Sequence, residues 1–186
     1  MQADWEFEIG PGAPLMDGAW PGLVDLRRKP GRIREIEESA RLPALAPALL
    51  QLNSSSSPVW TSKCDLFTPE SLDPDELDAP PTQVACALAC YIDLLPCHTA
   101  DWTTPAQLET FCRRICGLLS NLPVPCCRAD LVVRRVLLAP DRESLGITAY
   151  LSACGAGQDL AAAALSAAVS ALADSLCAIP AQEKTT

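Results

Sequence analysis

Proline is the residue that most limits what this chain can fold into. Of its 17 prolines, 11 fall in residues 1–81. The pyrrolidine ring fixes φ and removes an amide donor, so proline at this density interrupts helices and sheet ladders alike. GPGAPLMDGAWPG (10–22), the run Ser54–Ser57 and DPDELDAPP (73–81) all lie in this part. A Pro-rich, acidic and mostly disordered arm over 1–81 is the expectation. Two pieces of it have patterns that could order. The spacing of Ile33, Ile36 and Ala40 predicts a short helix over 31–42. The acidic stretch 64–77 carries Leu66, Phe67, Leu72 and Leu77, a candidate partner-binding peptide of the acidic–hydrophobic kind, with a solvated acidic linker as the alternative.

The formal net charge is −9, and it is unevenly placed. Residues 1–81 hold 7 Lys/Arg against 14 Asp/Glu, while 82–186 hold 7 against 9. Nucleic-acid binding relies on cations that neutralise phosphates, so direct contact with nucleic acid is not expected of such a chain. The N-terminal MQADWEFEIG is acidic, where an export signal would be basic and then apolar. The apolar run 160–173 lies between Asp159 and Asp174 and is too short to span a bilayer. No membrane span is therefore expected, and the expected location is the cytoplasm and/or nucleus.

From Thr82 the composition changes and periodicity appears, predicting a compact α+β domain over 82–180 with a tail at 181–186. TTPAQLETFCRRICGLLSN (103–121) is the clearest helix, with Thr104 to cap it, Pro105 at its first position and Gln107 completing a capping box. RADLVVRRVLLAP (128–140) and ITAYLSA (147–153) read as the two arms of a β-hairpin, the second alternating Ile147, Ala149, Leu151 inward and Thr148, Tyr150, Ser152 outward. QDLAAAALSAAVSALADSLCAI (158–179) reads as a long helix with Leu165, Val169, Leu172 and Leu176 on one stripe. The segment before them fits both periods. As a strand, Val84, Cys86, Leu88, Cys90, Ile92 and Leu94 share a face; as a helix, Val84, Leu88, Tyr91, Ile92 and Leu95 do. Its alanines favour helix, because alanine loses no side-chain entropy there. The expected fold class is α+β: about three helices and a β-hairpin, in the order α-α-β-β-α or β-α-β-β-α, after the disordered arm.

Ten cysteines would suit a metal or redox centre if their spacing did. Structural zinc sites use close knuckles such as Cys-x2-Cys, which do not occur here, so no metal and no cofactor are expected. Cys86, Cys90, Cys112, Cys116 and Cys177 fall on the apolar stripes, where cysteine acts as a small hydrophobe. PCC (125–127) is a vicinal pair in a loop, a candidate reactive or oxidisable site, and a cysteine-dependent redox or metal-binding protein is the alternative reading. The chain has one histidine, His98, beside Cys97, and no nucleophile motif surrounds it. No catalytic constellation emerges, so an enzyme is not expected. Arg113, Arg114, Arg134 and Arg135 form a candidate basic patch, suited to carboxylates or phosphates.

The segment DELDAPPTQVACALACYIDLLP (75–96) resembles the leading helix of the smallest, non-catalytic subunit of eukaryotic tRNA-splicing endonuclease. The resemblance rests on Glu76-Leu77-Asp78, Thr82-Gln83-Val84, Tyr91 and Asp93-Leu94, with Trp102 downstream. It implies a small α/β nuclease-like fold without a catalytic triad, scaffolding a heterotetramer, and it carries over no site residues. The chain departs from that family at its C-terminus, where an alanine-rich helix stands in place of a tyrosine-rich strand pair. The expected function is thus a non-enzymatic adaptor or structural subunit of an intracellular complex, a hetero-oligomer with protein partners.

Overall fold

At the centre of the molecule lies the strand that alternates most strictly. In β6 (Arg142–Gly155), Ile147, Ala149, Leu151 and Ala153 are all fully buried. It pairs antiparallel with β5 (Cys127–Ala139) on one side and β4 (Cys86–Pro96) on the other. Beyond β4 runs β3 (Val59–Phe67), antiparallel to it. Beyond β5 runs β1 (Gln2–Glu8), parallel to it, and the two-residue β2 (Met16–Asp17) continues along the same edge. The computed structural model describes residues 1–71, 73–80, 84–98, 102–139 and 142–179. Among these, six strands form one sheet in the order β1-β5-β6-β4-β3 with β2 beside β5.

One face of the sheet carries the helices. Cys90, Ile92 and Leu94 of β4, Leu131 and Val133 of β5 and the inward row of β6 form one core. Against them pack α2 (Leu45–Leu52), α3 (Pro105–Ser120) and α4 (Gln158–Cys177), through Leu49, Leu108, Ile115, Leu165 and Leu172 among others. The helix α3 starts as its sequence dictates, with Thr104 and Gln107 reciprocally bonded in a capping box and Pro105 where no amide is needed. By length and composition α4 could cross a membrane, yet it is applied to the sheet, with 50% of its most apolar window buried. Its approach is close. A Cβ on Gly155 would fall 2.5 Å from the amide nitrogen of Ala161.

Several expectations are overturned here. The arm over 1–81 is not disordered; it supplies β1, β2, β3 and α2, and so belongs to the same sheet and core as the rest. The fold is therefore not three helices and a hairpin but a six-stranded mixed sheet with a helical layer. The prolines are compatible because they lie outside the ladders or at their ends. Pro58 precedes β3, Pro96 ends β4 and Pro30 opens a 3-10 turn (Pro30–Glu35). Pro47 sits in the first turn of α2, where amides have no intrahelical partner. The helix expected over 31–42 divides into that turn and α1 (Glu37–Arg41), with Ile36 extended between them. Cys86–Pro96, for which alanine content favoured helix, is a strand, because burial between two antiparallel neighbours outweighs a propensity of tenths of a kcal/mol per residue. Thr82 and residues 181–186 lie outside the described residues.

Candidate functional site

The face of the sheet turned away from the helices is polar at its centre. Register places Tyr91 of β4 opposite Tyr150 of β6, and Asp93 opposite Thr148. The tyrosine rings lie 6.0 Å apart, tilted by 53°. Arg134 of β5 lies across Tyr150, its guanidinium 5.4 Å from the ring and its Nη1 donating to the phenol oxygen over 2.9 Å. Its Nε meanwhile donates to Glu8 of β1 over 2.7 Å, so this cation is already neutralised.

Asp93 is the buried charge of this face, 8% exposed. Burial pushes its carboxyl above the ordinary range, against the hydrogen bond from Thr148 and the charges of Lys63 and Arg134. Burial also pushes the Tyr91 phenol up to about 12, with the Asp93 and Asp65 charges adding to it. A bulge in β3 completes the surround. Its pairing jumps from Thr61↔Leu94 to Cys64↔Ile92, so Ser62 and Lys63 together face Asp93. Such insertions re-aim side chains and sharpen twist.

The segment between β2 and the first 3-10 turn crosses the bulge and brings Trp20 over it. The Trp20 Nε1 donates to the Ser62 carbonyl over 2.9 Å, and the Lys63 ammonium stands 5.8 Å from the ring. The ring folds back on Gly22, where a Cβ would fall 1.8 Å from it, so only glycine admits this arrangement. Trp20, Lys63 and Tyr91 are shared walls of two adjoining cavities. One, of about 320 Å³, extends to Glu38, Ser62 and Asp65; the other, of about 360 Å³, extends to Asp17, Asp93, Thr148 and Tyr150. Together they form a polar trough with aromatic walls, of the size that small ligands occupy. An apolar cluster of Met16, Trp60, Leu95 and Val136 lies on the same face, as does a second one of Leu77, Ala79, Cys126 and Cys154.

The residues singled out in the sequence fall elsewhere. Leu66 is buried on the helical side of β3, Leu77 is buried against Cys126 and Cys154, Phe67 is half-buried, and Leu72 lies outside the described residues. Leu66 and Leu77 are thus buried within this chain. The four arginines do not converge. Arg113, on α3, is paired with Glu109 and lies 6.0 Å over Trp5, Arg114 is exposed beside it, and Arg135 is paired with Glu143. Arg134 is on the opposite face of the sheet, paired with Glu8. His98 and Cys97 are exposed at the end of β4. All ten cysteines are thiols, and burial pushes Cys90 and Cys112 up to about 12. Among the described residues no group of three or more His, Cys, Asp or Glu is placed to hold a metal.

Trp20, Lys63, Tyr91, Thr148 and Tyr150 escape sequence reasoning as a site. The one signal was the alternation that put Thr148 and Tyr150 on the outward row of β6; their partners on β4 and β3 follow only from register. Compared with protein families, curated proteins and solved structures, the chain finds no match.

Proposed function

We propose that the chain is a non-enzymatic structural subunit of an intracellular protein complex, a hetero-oligomer held through the β1 edge of its sheet. One observation supports this reading above the others. Of the five exposed large apolar side chains among the described residues, Phe7 (37%), Ile9 (40%) and Leu15 (67%) lie within one stretch at the end of β1. Apolar side chains concentrated in this way mark interaction surfaces. The strand beside them is paired on one side only, to β5, and an edge of this kind can accept a further strand. Asp4 and Glu8 on this strand pair with Arg128 and Arg134 of β5, which leaves Glu6 between them to meet a basic group of an apolar partner segment.

The test is recovery of the full chain from cells under native conditions, beside an Ile9→Lys, Leu15→Lys double variant whose circular dichroism is unchanged. The expected result is a stoichiometric partner retained by the first and lost by the second. A chain recovered alone, or a variant that keeps its partner, would overturn the proposal. Recovery of tRNA-splicing endonuclease subunits would assign the complex that the 75–96 resemblance implies.

A further inference from the structure

The trough over the bulge has a charge balance that points to a ligand class. Its walls carry Asp17, Glu35, Glu38, Asp65 and Asp93 against Lys63 and Arg134. Arg134 is held by Glu8, and Glu35 is held by Arg32, neither partner lying in the trough. Among the described residues Asp17, Glu38, Asp65 and Asp93 take part in no ion pair. Asp17 and Asp65 accept only backbone amides, and Asp93 only the Thr148 hydroxyl. Carboxylates thus stand in both lobes, and between them are the faces of Trp20 and Tyr91, surfaces that attract organic cations.

A second observation is independent of charge. Ser62 lines the trough, is only 6% exposed, and its Oγ is the one buried side-chain polar atom among the described residues without a hydrogen-bond partner. Native interiors seldom leave such a group unsatisfied; the Oγ is covered, so a ligand N–H reaches it when the Ser62 hydroxyl turns into the trough. The wall is also built rather than fortuitous, since Trp20 is fixed by its bond to the Ser62 carbonyl and by the bare Gly22 behind it.

We propose that this trough binds a linear organic cation bearing alkylammonium groups, one in each carboxylate lobe, with its methylene chain along Trp20 and Tyr91. The exposed Lys63, whose ammonium stands 5.8 Å from the Trp20 ring, is the internal stand-in that the ligand displaces. The burial of Asp93 supports the assignment, because a carboxylate held at an electrostatic cost is relieved by an incoming cation. Two sources supply this chemistry, a free polyamine or the lysines of a basic peptide. Leu15 borders both this trough and the β1-edge patch, but the assignment rests on the carboxylates, Trp20 and Tyr91 and does not depend on the subunit reading.

The test is titration calorimetry of the full chain with spermidine, with a short neutral peptide carrying two lysines, and with octane-1,8-diol as the uncharged match. Saturable binding of spermidine or of the peptide, and none of the diol, is expected; the tighter of the two identifies the source. Asp65→Asn, at an exposed position, and Asp93→Asn should each weaken binding about tenfold, the loss of one charge-assisted hydrogen bond. Trp20→Leu should weaken it about fivefold, and Lys63→Met should strengthen it. Absence of saturable binding would overturn the proposal. So would affinity unchanged in Asp65→Asn and Asp93→Asn, which would mean general attraction to an acidic chain, or weaker binding by Lys63→Met.

Discussion

The hydroxyl of Thr148 donates to the carboxylate of Asp93 over 2.8 Å, across the β4–β6 ladder. The two side chains are 2% and 8% exposed. Burial raises the folded Asp93 carboxyl above the ordinary 3.8 of the unfolded chain. Between those two values the folded chain holds a proton that the unfolded chain has lost, so stability falls as pH rises through the window. Above the window the full cost remains; below 3.8 it is absent. Asp93→Asn keeps an acceptor for Thr148 without the charge. It should stabilise the protein by roughly 1 kcal/mol at neutral pH, an advantage that fades in acid. Thr148→Val should cost roughly 2 kcal/mol by leaving the carboxylate without its donor. Urea denaturation at neutral and acidic pH measures both.

Gly155 joins the end of β6 to the start of α4 without room for a side chain. A Cβ there meets the Ala161 amide nitrogen at 2.5 Å and the Leu160 carbonyl carbon at 2.8 Å, backbone atoms that cannot rotate away. Gly155→Ala should therefore lower stability by about 2 kcal/mol, the cost of overpacking. Gly157→Ala, where no atom lies within 4 Å of the added Cβ, lacks the clash and should cost less, roughly 0.5 kcal/mol for alanine at the N-cap of α4. Thermal denaturation of the pair distinguishes a steric cause from loss of glycine in general.

The N-terminal strand is part of the structure. Its terminal ammonium donates to the Leu122 carbonyl over 2.7 Å, and Ala3 and Trp5 pack on the core under α3. Removal of residues 1–8 should cost roughly 3 kcal/mol, comparable with losing one large aromatic from a core, and should expose β5 to self-association. Light scattering and denaturant midpoints check this. An unchanged midpoint would show that β1 contributes nothing.

Thiol reactivity should follow burial. Desolvation holds Cys64, Cys90 and Cys112 up to about 12, so their thiolate fraction near neutral pH is small. Cys97 is exposed. Alkylation of the native chain, followed by peptide mass spectrometry, should modify Cys97 first and Cys90 and Cys112 last. Early labelling of Cys90 would mean that β4 opens readily.

Local chemistry made some elements legible. The Thr104–Gln107 box fixes the start of α3 within its own four residues, and Thr104→Ala should cost about 1 kcal/mol. The inward row of β6 and the Leu165–Leu172 stripe of α4 were equally visible, because a period of two or of 3.6 residues is written in adjacent side chains. The candidate site was not visible. Its members come from the segment around Trp20, the β3 bulge, β4, β5 and β6, and no spacing in the sequence links Trp20 to Ser62 or Asp93 to Thr148.

What the sequence by itself determined is therefore the set of elements whose signals are short-range: the capped helix, the alternating strand, the apolar stripe. Only the tertiary structure decided that Cys86–Pro96 extends between two strands, that an acidic proline-rich arm lies parallel to β5 with Gln2 opposite Arg128, and that Asp93 is enclosed. The reason is physical. A strand's stability lies in its neighbours, and here the neighbour of β1 is supplied from the far half of the chain, where no local periodicity can announce it.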